Sequence, residues 1–273
     1  MSFFNSIIAA TLPYIPKPIV RKVSARYIAG ATLDDGMRTV RQLNGLGAMA
    51  TVDVLGEFIQ TLDEATANTE YSCRVIRRLA ADKLQGNLSI KLTSLGLGLD
   101  PAVCESNVRR ILDTAREAGN MFVRMDMENS PYTDLTLDLY SRLRREYQNV
   151  GVVLQAYLHR TPADIDRLLQ EGQSLGVRTY VRLCKGIYVE DASIAFKDRD
   201  EIRLNYLLSL SKLFAGNAYV GIATHDDVLI SGAKDLIASH KVTPADYEYQ
   251  MLLGVRETVR DGLIREGHRL RIY

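Results

Sequence analysis

The sequence predicts an α/β fold, a (β/α)8 barrel of the TIM type that follows an N-terminal helical arm. Eight short apolar runs, rich in valine, isoleucine, leucine and tyrosine, recur along the 273 residues. Stretches with helical periodicity separate these runs, and each connection is long enough to carry a helix, which favours parallel pairing. A barrel of this type needs about 250 residues, so the length fits a single domain.

The eight predicted strands begin at residue 48 and reach the end of the chain. They are Ala48–Leu55, Leu88–Leu95, Phe122–Glu128, Val150–Leu158, Val177–Lys185, Tyr219–Thr224, Tyr247–Leu253 and Arg269–Tyr273. The run Val177–Lys185 carries Arg182 in its middle. A cation inside so apolar a strand requires an anionic partner or ligand.

Proline marks the start of several segments between the strands. Three helices are predicted to begin at Asp100-Pro101, Ser130-Pro131 and Thr161-Pro162. Proline is favoured in the first turn of a helix, because the missing backbone N–H has no partner there in any case. These segments are therefore predicted to be crossover helices.

Residues 1–46 are predicted to form the helical arm and residues 47–273 the barrel. The apolar stretch Met1–Ile15 has no lysine or arginine before it and is broken at Pro13, so it is too short to span a membrane. A short helix packed on the domain is the favoured interpretation, and an anchor at a membrane surface is the alternative.

The predicted eighth strand ends at Tyr273, so the last crossover helix is absent from this chain. A barrel of this type normally has a helix after every strand. We therefore expect the sequence to represent a truncated form of a longer protein.

The composition excludes several classes of function. The net charge of +1 provides no field that would attract nucleic acid. Three widely spaced cysteines fit neither a zinc site nor a disulfide framework, and they indicate a reduced, cytoplasmic setting. No heptad pattern or apolar stripe indicates an oligomeric state.

A doubly wound open sheet is the alternative fold, and it would bind a nucleotide through a glycine-rich turn. Residues 45–50, GLGAMA, match the G-x-G-x-x-A pattern. That motif must follow a strand and open a helix. Here it follows a helical segment and leads into the strand Ala48–Leu55, so we reject it as a nucleotide site.

Polar side chains at the C-terminal ends of the strands indicate a shared site, because active sites of such barrels lie there. By strand alternation, Lys91 and Asp126 reach the barrel mouth from neighbouring strands, where they can pair. The pair is either part of a functional site or a structural ion pair that caps the core.

Arg182, Gln155 and His225 occupy comparable positions on later strands. Arg182 stays charged and can donate to a carboxylate or an electron-rich ring, and Gln155 offers both a donor and an acceptor. Asp226 and Asp227 follow His225, but no second histidine stands at ligand spacing, so we expect no metal site.

Five ordered motifs resemble the proline dehydrogenase family in its short, monofunctional form. They are LSIKLT (88–93), RMDME (124–128), LQAY (154–157), RLCKGIY (182–188) and ATH (223–225). The resemblance extends from about Val52 to Tyr273. It implies a distorted barrel with non-covalent FAD at the strand C-termini. It also implies oxidation of L-proline to Δ1-pyrroline-5-carboxylate in proline catabolism, with hydride passing to FAD N5 and electrons then passing to a quinone.

The resemblance also implies roles for individual residues. The implied catalytic residues are Asp126, which orients the site, and Arg182, which lies near flavin N5. Lys91 would contact the proline carboxylate, and Tyr188 and Tyr273 would wall the substrate pocket. The implied cofactor contacts are Met127, Gln155, Arg182, Lys185, Gly186, Ile187, Thr224 and His225. We expect a cytoplasmic protein and leave open peripheral contact with the inner face of the membrane.

The chain departs from the family pattern at two places. Ile187 stands where the family commonly has alanine, and the sequence ends before a helix with Tyr-x-x-Arg-Arg-x-x-Glu, whose arginines bind the substrate carboxylate. Two alternatives therefore remain. One is a flavin-binding barrel with impaired turnover, and the other is a class I aldolase in which Lys91 or Lys185 forms a Schiff base.

Overall fold

The structure, a computed structural model that describes residues 27–56 and 58–273, confirms the predicted barrel. Eight parallel strands close into a ring in the order of the sequence. They are β1 (Met49–Asp53), β2 (Gly86–Ile90), β3 (Val123–Met125), β4 (Val150–Gln155), β5 (Tyr180–Cys184), β6 (Tyr219–Ala223), β7 (Tyr247–Met251) and β8 (Leu270–Ile272). The pairs Met49–Arg271 and Ala50–Ile272 join β1 to β8 and close the barrel.

Helices surround the barrel, one before β1 and one after each strand from β1 to β7. They are α1 (Leu33–Gly45), α2 (Leu62–Ala81), α3 (Pro101–Glu117), α4 (Thr133–Leu143), α5 (Thr161–Leu175), α6 (Arg199–Ala215), α7 (Asp227–Ser239) and α8 (Glu257–Arg265). Each crossover returns the chain to the start of the next strand, so all eight strand C-termini meet at one end. None of the helices in the described ranges is long and apolar enough to cross a bilayer.

Helix α1 packs on the barrel through an apolar face. Met37, Val40 and Leu43 are buried and belong to the same hydrophobic cluster as the barrel strands. The rest of the predicted arm, residues 1–26, lies outside the described residues, and so does the short helix predicted within Met1–Ile15. The division of the chain into arm and barrel stays a prediction.

Several predicted strands extend too far at their C-terminal ends. β2 ends at Ile90, and Leu92–Leu95 forms a buried 3-10 helix instead. A buried apolar run has the same composition in either conformation, so the sequence pattern does not reveal the turn. β3 likewise has only three residues, and beyond it the Glu128 carboxylate accepts the Thr93 backbone N–H at 2.9 Å.

The proline signals locate the helix starts well. The Asp100 side chain accepts two backbone hydrogen bonds at the start of α3, and Pro101 stands in its first turn. Helix α5 begins at Thr161 and closes at Gly176, whose φ of 66° is the left-handed conformation that favours glycine. The prediction at Ser130 is displaced, because a 3-10 turn, Ser130–Tyr132, precedes α4.

The glycine-rich residues 45–50 follow α1 and lead into β1, in the inverted context that excludes a dinucleotide turn.

Candidate active site

The C-terminal ends of β8, β1, β2 and β3 bring four polar side chains together at the barrel mouth. Asp53 ends β1, whereas Lys91, Asp126 and Tyr273 each follow directly after a strand. Lys91 Nζ lies 2.5 Å from Asp53 Oδ2 and 3.8 Å from Asp126 Oδ2. The Tyr273 hydroxyl donates to Asp126 Oδ2 at 2.8 Å. The predicted pair of Lys91 and Asp126 is present, but Asp53 is the closer carboxylate.

Arg182, on β5, lies next to this group and contacts Asp126, Gln250 and Tyr273. Its Nη1 donates to Asp126 Oδ1 at 2.9 Å and its Nε donates to Gln250 Oε1 at 2.5 Å. The guanidinium carbon lies 4.8 Å from the centre of the Tyr273 ring. The remaining nitrogen, Nη2, is buried and has no hydrogen-bond partner among residues 27–56 and 58–273. The site therefore holds a fixed planar cation with one donor left for a ligand.

Burial dominates the protonation equilibria at the mouth. It raises the pKa of Asp53, an effect that Lys91 opposes and Asp126 reinforces. Burial also raises the pKa of the Tyr273 hydroxyl, and the two nearby carboxylates raise it further. Tyr273 is therefore protonated at neutral pH and serves the cluster as a hydrogen-bond donor.

Cations gather around Asp226 at the rim of the mouth. Lys185 Nζ donates to Asp226 at 3.2 Å, Arg203 donates through Nε and Nη2 at 3.0 Å each, and Arg199 Nη2 lies 3.6 Å away. Although burial opposes ionisation, hydrogen bonds from Arg203 and Lys185 hold the pKa of Asp226 far below its usual range. Arg203 also pairs with Asp200 at 2.9 Å, so three cations against two carboxylates leave one positive charge in excess at the rim.

Thr224 and His225 follow β6 on the same side of the mouth. Thr224 Oγ1 accepts the backbone N–H of Asp226 at 3.1 Å, and His225 Nε2 accepts the backbone N–H of Leu252 at 2.8 Å. Burial lowers the pKa of His225, so the imidazole is a neutral acceptor here. In the described part of the chain, no group of three or more histidine, cysteine or acidic side chains could hold a metal ion.

The loop after β5 carries four of the predicted ligand contacts, Lys185 to Tyr188. Gly186 has a φ of 110°, and a β carbon at this position would lie 2.1 Å from the Tyr157 ring. Ile187 is 85% exposed and Tyr188 is half-buried. The loop thus lies at the rim, with its isoleucine turned to solvent and its glycine tight against an aromatic wall.

Met127 and Gln155 lie on the buried side of the mouth. Met127 directly follows Asp126 and is buried. Gln155 ends β4, and its Nε2 donates to the Glu128 carbonyl at 3.0 Å. The two predicted contacts thus contribute a thioether and a fixed amide beside the charged cluster.

Two features fit a bound flavin nucleotide, the group that the resemblance implies. A ring nitrogen or oxygen would satisfy the buried Nη2 of Arg182, which lacks a partner within the described ranges. The excess of cations around Asp226 suits a pyrophosphate.

Three residues of this site were not predicted from the sequence: Asp53, Gln250 and Arg203. Asp53 lies two residues before the end of the predicted strand Ala48–Leu55, so a search for polar residues at run ends passes over it. Gln250 lies inside a predicted strand in the same way. Arg203 belongs to α6, and no strand pattern points to a helix residue that reaches the rim. Strand alternation applied to the first and seventh runs would have found the first two.

Comparison with known proteins places this site in a family. Residues 36–273 match the family described as proline dehydrogenase. Proline dehydrogenase 2 of Bacillus subtilis (strain 168) is 37% identical over 253 residues, which are 93% of this chain and 81% of the relative. The proline dehydrogenase of Deinococcus radiodurans is 33% identical over 257 residues, 92% of this chain and 80% of the relative.

Solved structures of larger proteins share the fold. Proline utilization A from Bdellovibrio bacteriovorus superposes with a TM-score of 0.86 at 23% identity, over 93% of this chain and 31% of that chain. The protein of the same name from Corynebacterium freiburgense gives a TM-score of 0.83 at 19% identity, over 98% of this chain and 30% of that chain. The chain thus spans about a third of these two proteins, and at such identities the likeness shows the fold alone.

Two findings decide the family. The match covers nearly all of the described residues, and two relatives more than 30% identical are covered over four fifths of their length. Proteins of this family are generally flavoproteins, which agrees with the features of the mouth. The chain belongs to the proline dehydrogenase family.

Proposed function

We propose that the protein is an FAD-dependent proline dehydrogenase that oxidises L-proline to Δ1-pyrroline-5-carboxylate and passes the electrons to a quinone. The observation that carries the proposal is Arg182, a buried cation at the strand ends with one donor unused within the described residues. Such a donor stabilises negative charge that develops on an electron-accepting ring. The choice of proline as the substrate rests on two relatives that are named proline dehydrogenases.

The substrate carboxylate would bind at Lys91, and Asp126 would orient the site. Asp126 has the contacts for this role, because it accepts hydrogen bonds from both Arg182 and Tyr273. Tyr188 and Tyr273 would wall the pocket. Fixed groups around the reacting carbon contribute orientation, which is worth several orders of magnitude in rate when the geometry is right.

The rim would hold the rest of the cofactor. Lys185, with Arg203 and Arg199 beside it, would meet the pyrophosphate, because these three cations outnumber the carboxylates Asp226 and Asp200 that pair with them. Gly186, Ile187, Thr224 and His225 would line the adjoining part of FAD, and Met127 and Gln155 would contact the ring system. FAD, when bound, supplies the two-electron redox step.

The electron acceptor and the location in the cell complete the proposal. Ile187 and Val189 project from the loop after β5 with 85% and 92% of their surface exposed. Apolar side chains this exposed at the rim suit contact with an apolar acceptor such as a quinone. They also suit peripheral contact of a cytoplasmic protein with the inner face of the membrane.

The contacts of the two lysines disfavour the aldolase alternative. A Schiff-base lysine must lose its proton before it can attack a carbonyl. Lys91 lies 2.5 Å from Asp53 and Lys185 lies 3.2 Å from Asp226. In both cases a carboxylate occupies the nitrogen that would have to attack the carbonyl carbon.

An anaerobic titration of the FAD-loaded protein with L-proline tests the proposed function. We expect the flavin absorbance to bleach and to return when a soluble quinone is added. A Lys91→Met variant should require much more proline for the same bleaching. Lys212→Met is the matched control, because Lys212 pairs with Asp166 on the outer helices. A protein that takes up no FAD, or a flavin that proline leaves oxidised, would contradict the proposal.

A further inference from the structure

The ammonium of Lys91 is already engaged by a carboxylate that the protein itself supplies. Asp53 Oδ2 lies 2.5 Å from Lys91 Nζ, whereas the Asp126 oxygen lies at 3.8 Å. The side chains of Lys91 and Asp53 are only 14% and 11% exposed. A substrate carboxylate that binds Lys91 must therefore come close to a second carboxylate at a place that is largely shielded from water.

Two like charges in such a volume repel each other strongly, and protonation of one removes the repulsion. Asp53 is the carboxyl better suited to take the proton. Asp126 already accepts hydrogen bonds from Arg182 at 2.9 Å and from Ser89 at 2.5 Å, so its Oδ1 is occupied by protein donors. Asp53 has no arginine contact among the described residues, and its Oδ1 is buried there without a hydrogen-bond partner.

The groups that face Asp53 come from four elements. Lys91 follows β2, Asp126 follows β3 and Tyr273 follows β8, while Asn68 and Tyr71 of α2 line the cavity of about 860 Å³ that reaches Asp53. The Tyr273 hydroxyl lies 3.0 Å from Asp53 Oδ2 and 2.8 Å from Asp126 Oδ2, so its single proton serves one of the two carboxylates at a time and leaves the oxygen free to accept from the other. A protonated Asp53 could itself donate to this oxygen, so the neutral form gains a hydrogen bond.

On the basis of the proposed role of Lys91 in carboxylate binding, we propose that Asp53 is a positioning residue that neutralises Lys91 in the ligand-free protein and takes up one proton from solvent when the substrate carboxylate binds. The proton joins the Asp53 carboxylate, Lys91 keeps its own proton, and no bond of the substrate breaks. Substrate binding and proton uptake are then linked through one side chain.

The linkage fixes the sign of the pH dependence. Burial already raises the pKa of Asp53, and a second carboxylate at Lys91 raises it further. Below the ligand-free pKa, Asp53 is protonated in both states and affinity is independent of pH. Between the ligand-free and ligand-bound pKa values, affinity falls about tenfold per pH unit as the pH rises.

Calorimetric titration of the FAD-loaded protein with cyclopentanecarboxylate tests the inference. This ring carboxylate has no amine, and between about pH 6 and about pH 9 it remains ionised. Titrations in buffers with different heats of ionisation count the protons taken up per ligand bound. We expect the wild type to take up as much as one proton, and Asp53→Asn to bind the ligand with no uptake and with an affinity independent of pH. Asp63→Asn, an exposed position in α2, should behave as the wild type.

A second measurement does not depend on the variant. An infrared difference spectrum of the wild type should gain the carbonyl band of a protonated carboxyl group when the ligand binds. Wild-type binding without proton uptake, unchanged uptake in Asp53→Asn, or no binding of the ring carboxylate would each overturn the inference. If proline still bleaches the flavin in such a case, the proposed function stands. If proline leaves the flavin oxidised, the proposed function fails separately.

Discussion

The barrel encloses two layers of charged side chains, one at the mouth and one deeper inside, and they differ in how their charges are used. In the deeper layer, Glu248 accepts hydrogen bonds from Arg271 Nε at 2.6 Å and Nη2 at 3.0 Å. Tyr219 donates to it at 2.9 Å and Gln250 at 2.6 Å. The side chain of Glu248 is 1% exposed, so protein donors occupy this carboxylate.

The mouth leaves binding capacity unused. Arg182 Nη2 and Asp53 Oδ1 are buried and lack hydrogen-bond partners among the residues that the structure describes. Within the described ranges, Lys91 lies 2.5 and 3.8 Å from the carboxylates of Asp53 and Asp126. Unsatisfied buried polar atoms are costly, and they persist where a ligand satisfies them. Arg124 Nε in the deeper layer also lacks a partner among these residues, so what sets the mouth apart is its place at the strand C-termini, where barrels bind ligands.

The largest effect is expected in the deeper layer, from Glu248→Gln. The substitution leaves Arg271 and Arg124 buried without their carboxylate, and breaking a buried ion pair from one side costs about 3–5 kcal/mol. Burial already lowers the pKa of Arg124 to about 9, so this layer has little tolerance for more positive charge. Urea denaturation at neutral pH measures the loss. The exposed Glu117→Gln should change the free energy of unfolding by less than about 0.5 kcal/mol.

The same residue predicts how acid destabilises the protein. Burial opposes the charge of Glu248, but the contact with Arg271 outweighs it and lowers the pKa to about 2 from 4.5. Because the folded-state pKa is depressed, this stabilisation is complete above about pH 4.5 and is lost as the pH falls toward 2. The difference in unfolding free energy between the wild type and Glu248→Gln should shrink over that interval. A constant difference would contradict the assignment.

The sequence predicted several residues of the mouth but not the contact between Glu248 and Arg271 in the deeper layer. The reason is physical. Lys91, Asp126 and Gln155 stand at the ends of apolar runs, and parallel strands bring such ends together whatever their register. The contact between Glu248 and Arg271 depends instead on the register that sets Gln250 opposite Arg271. Composition and periodicity do not fix that register.

At the mouth, we expect Arg182→Lys to affect the reaction more than the stability of the fold. Arg182→Lys keeps the charge, but one ammonium cannot reproduce the separate bonds to Asp126 and Gln250 together with the free donor. We expect kcat/KM for proline to fall about 10²–10³-fold, with a smaller loss of stability than in Glu248→Gln. Stopped-flow flavin reduction and urea denaturation on the same samples separate the two effects. The outer-surface variant Arg167→Lys is the control. Flavin reduction at the wild-type rate in Arg182→Lys would show that Arg182 takes no part in the reaction.

The smallest effect tests the rim, where shape matters more than charge. Gly186→Ala places a β carbon about 2.1 Å from the buried Tyr157 ring, at a φ of 110°. The ring or the loop must then move, and we expect FAD to bind about tenfold more weakly, within the 1–3 kcal/mol of such backbone strain. Gly119→Ala is a matched control, because its φ is 90° but nothing lies within 4 Å of the added carbon. Flavin fluorescence titrations of both variants separate crowding from backbone strain. If both variants lose affinity for FAD equally, or if neither does, the contact between Gly186 and Tyr157 does not shape the flavin site. The rim would then differ from the deeper layer only in its charge.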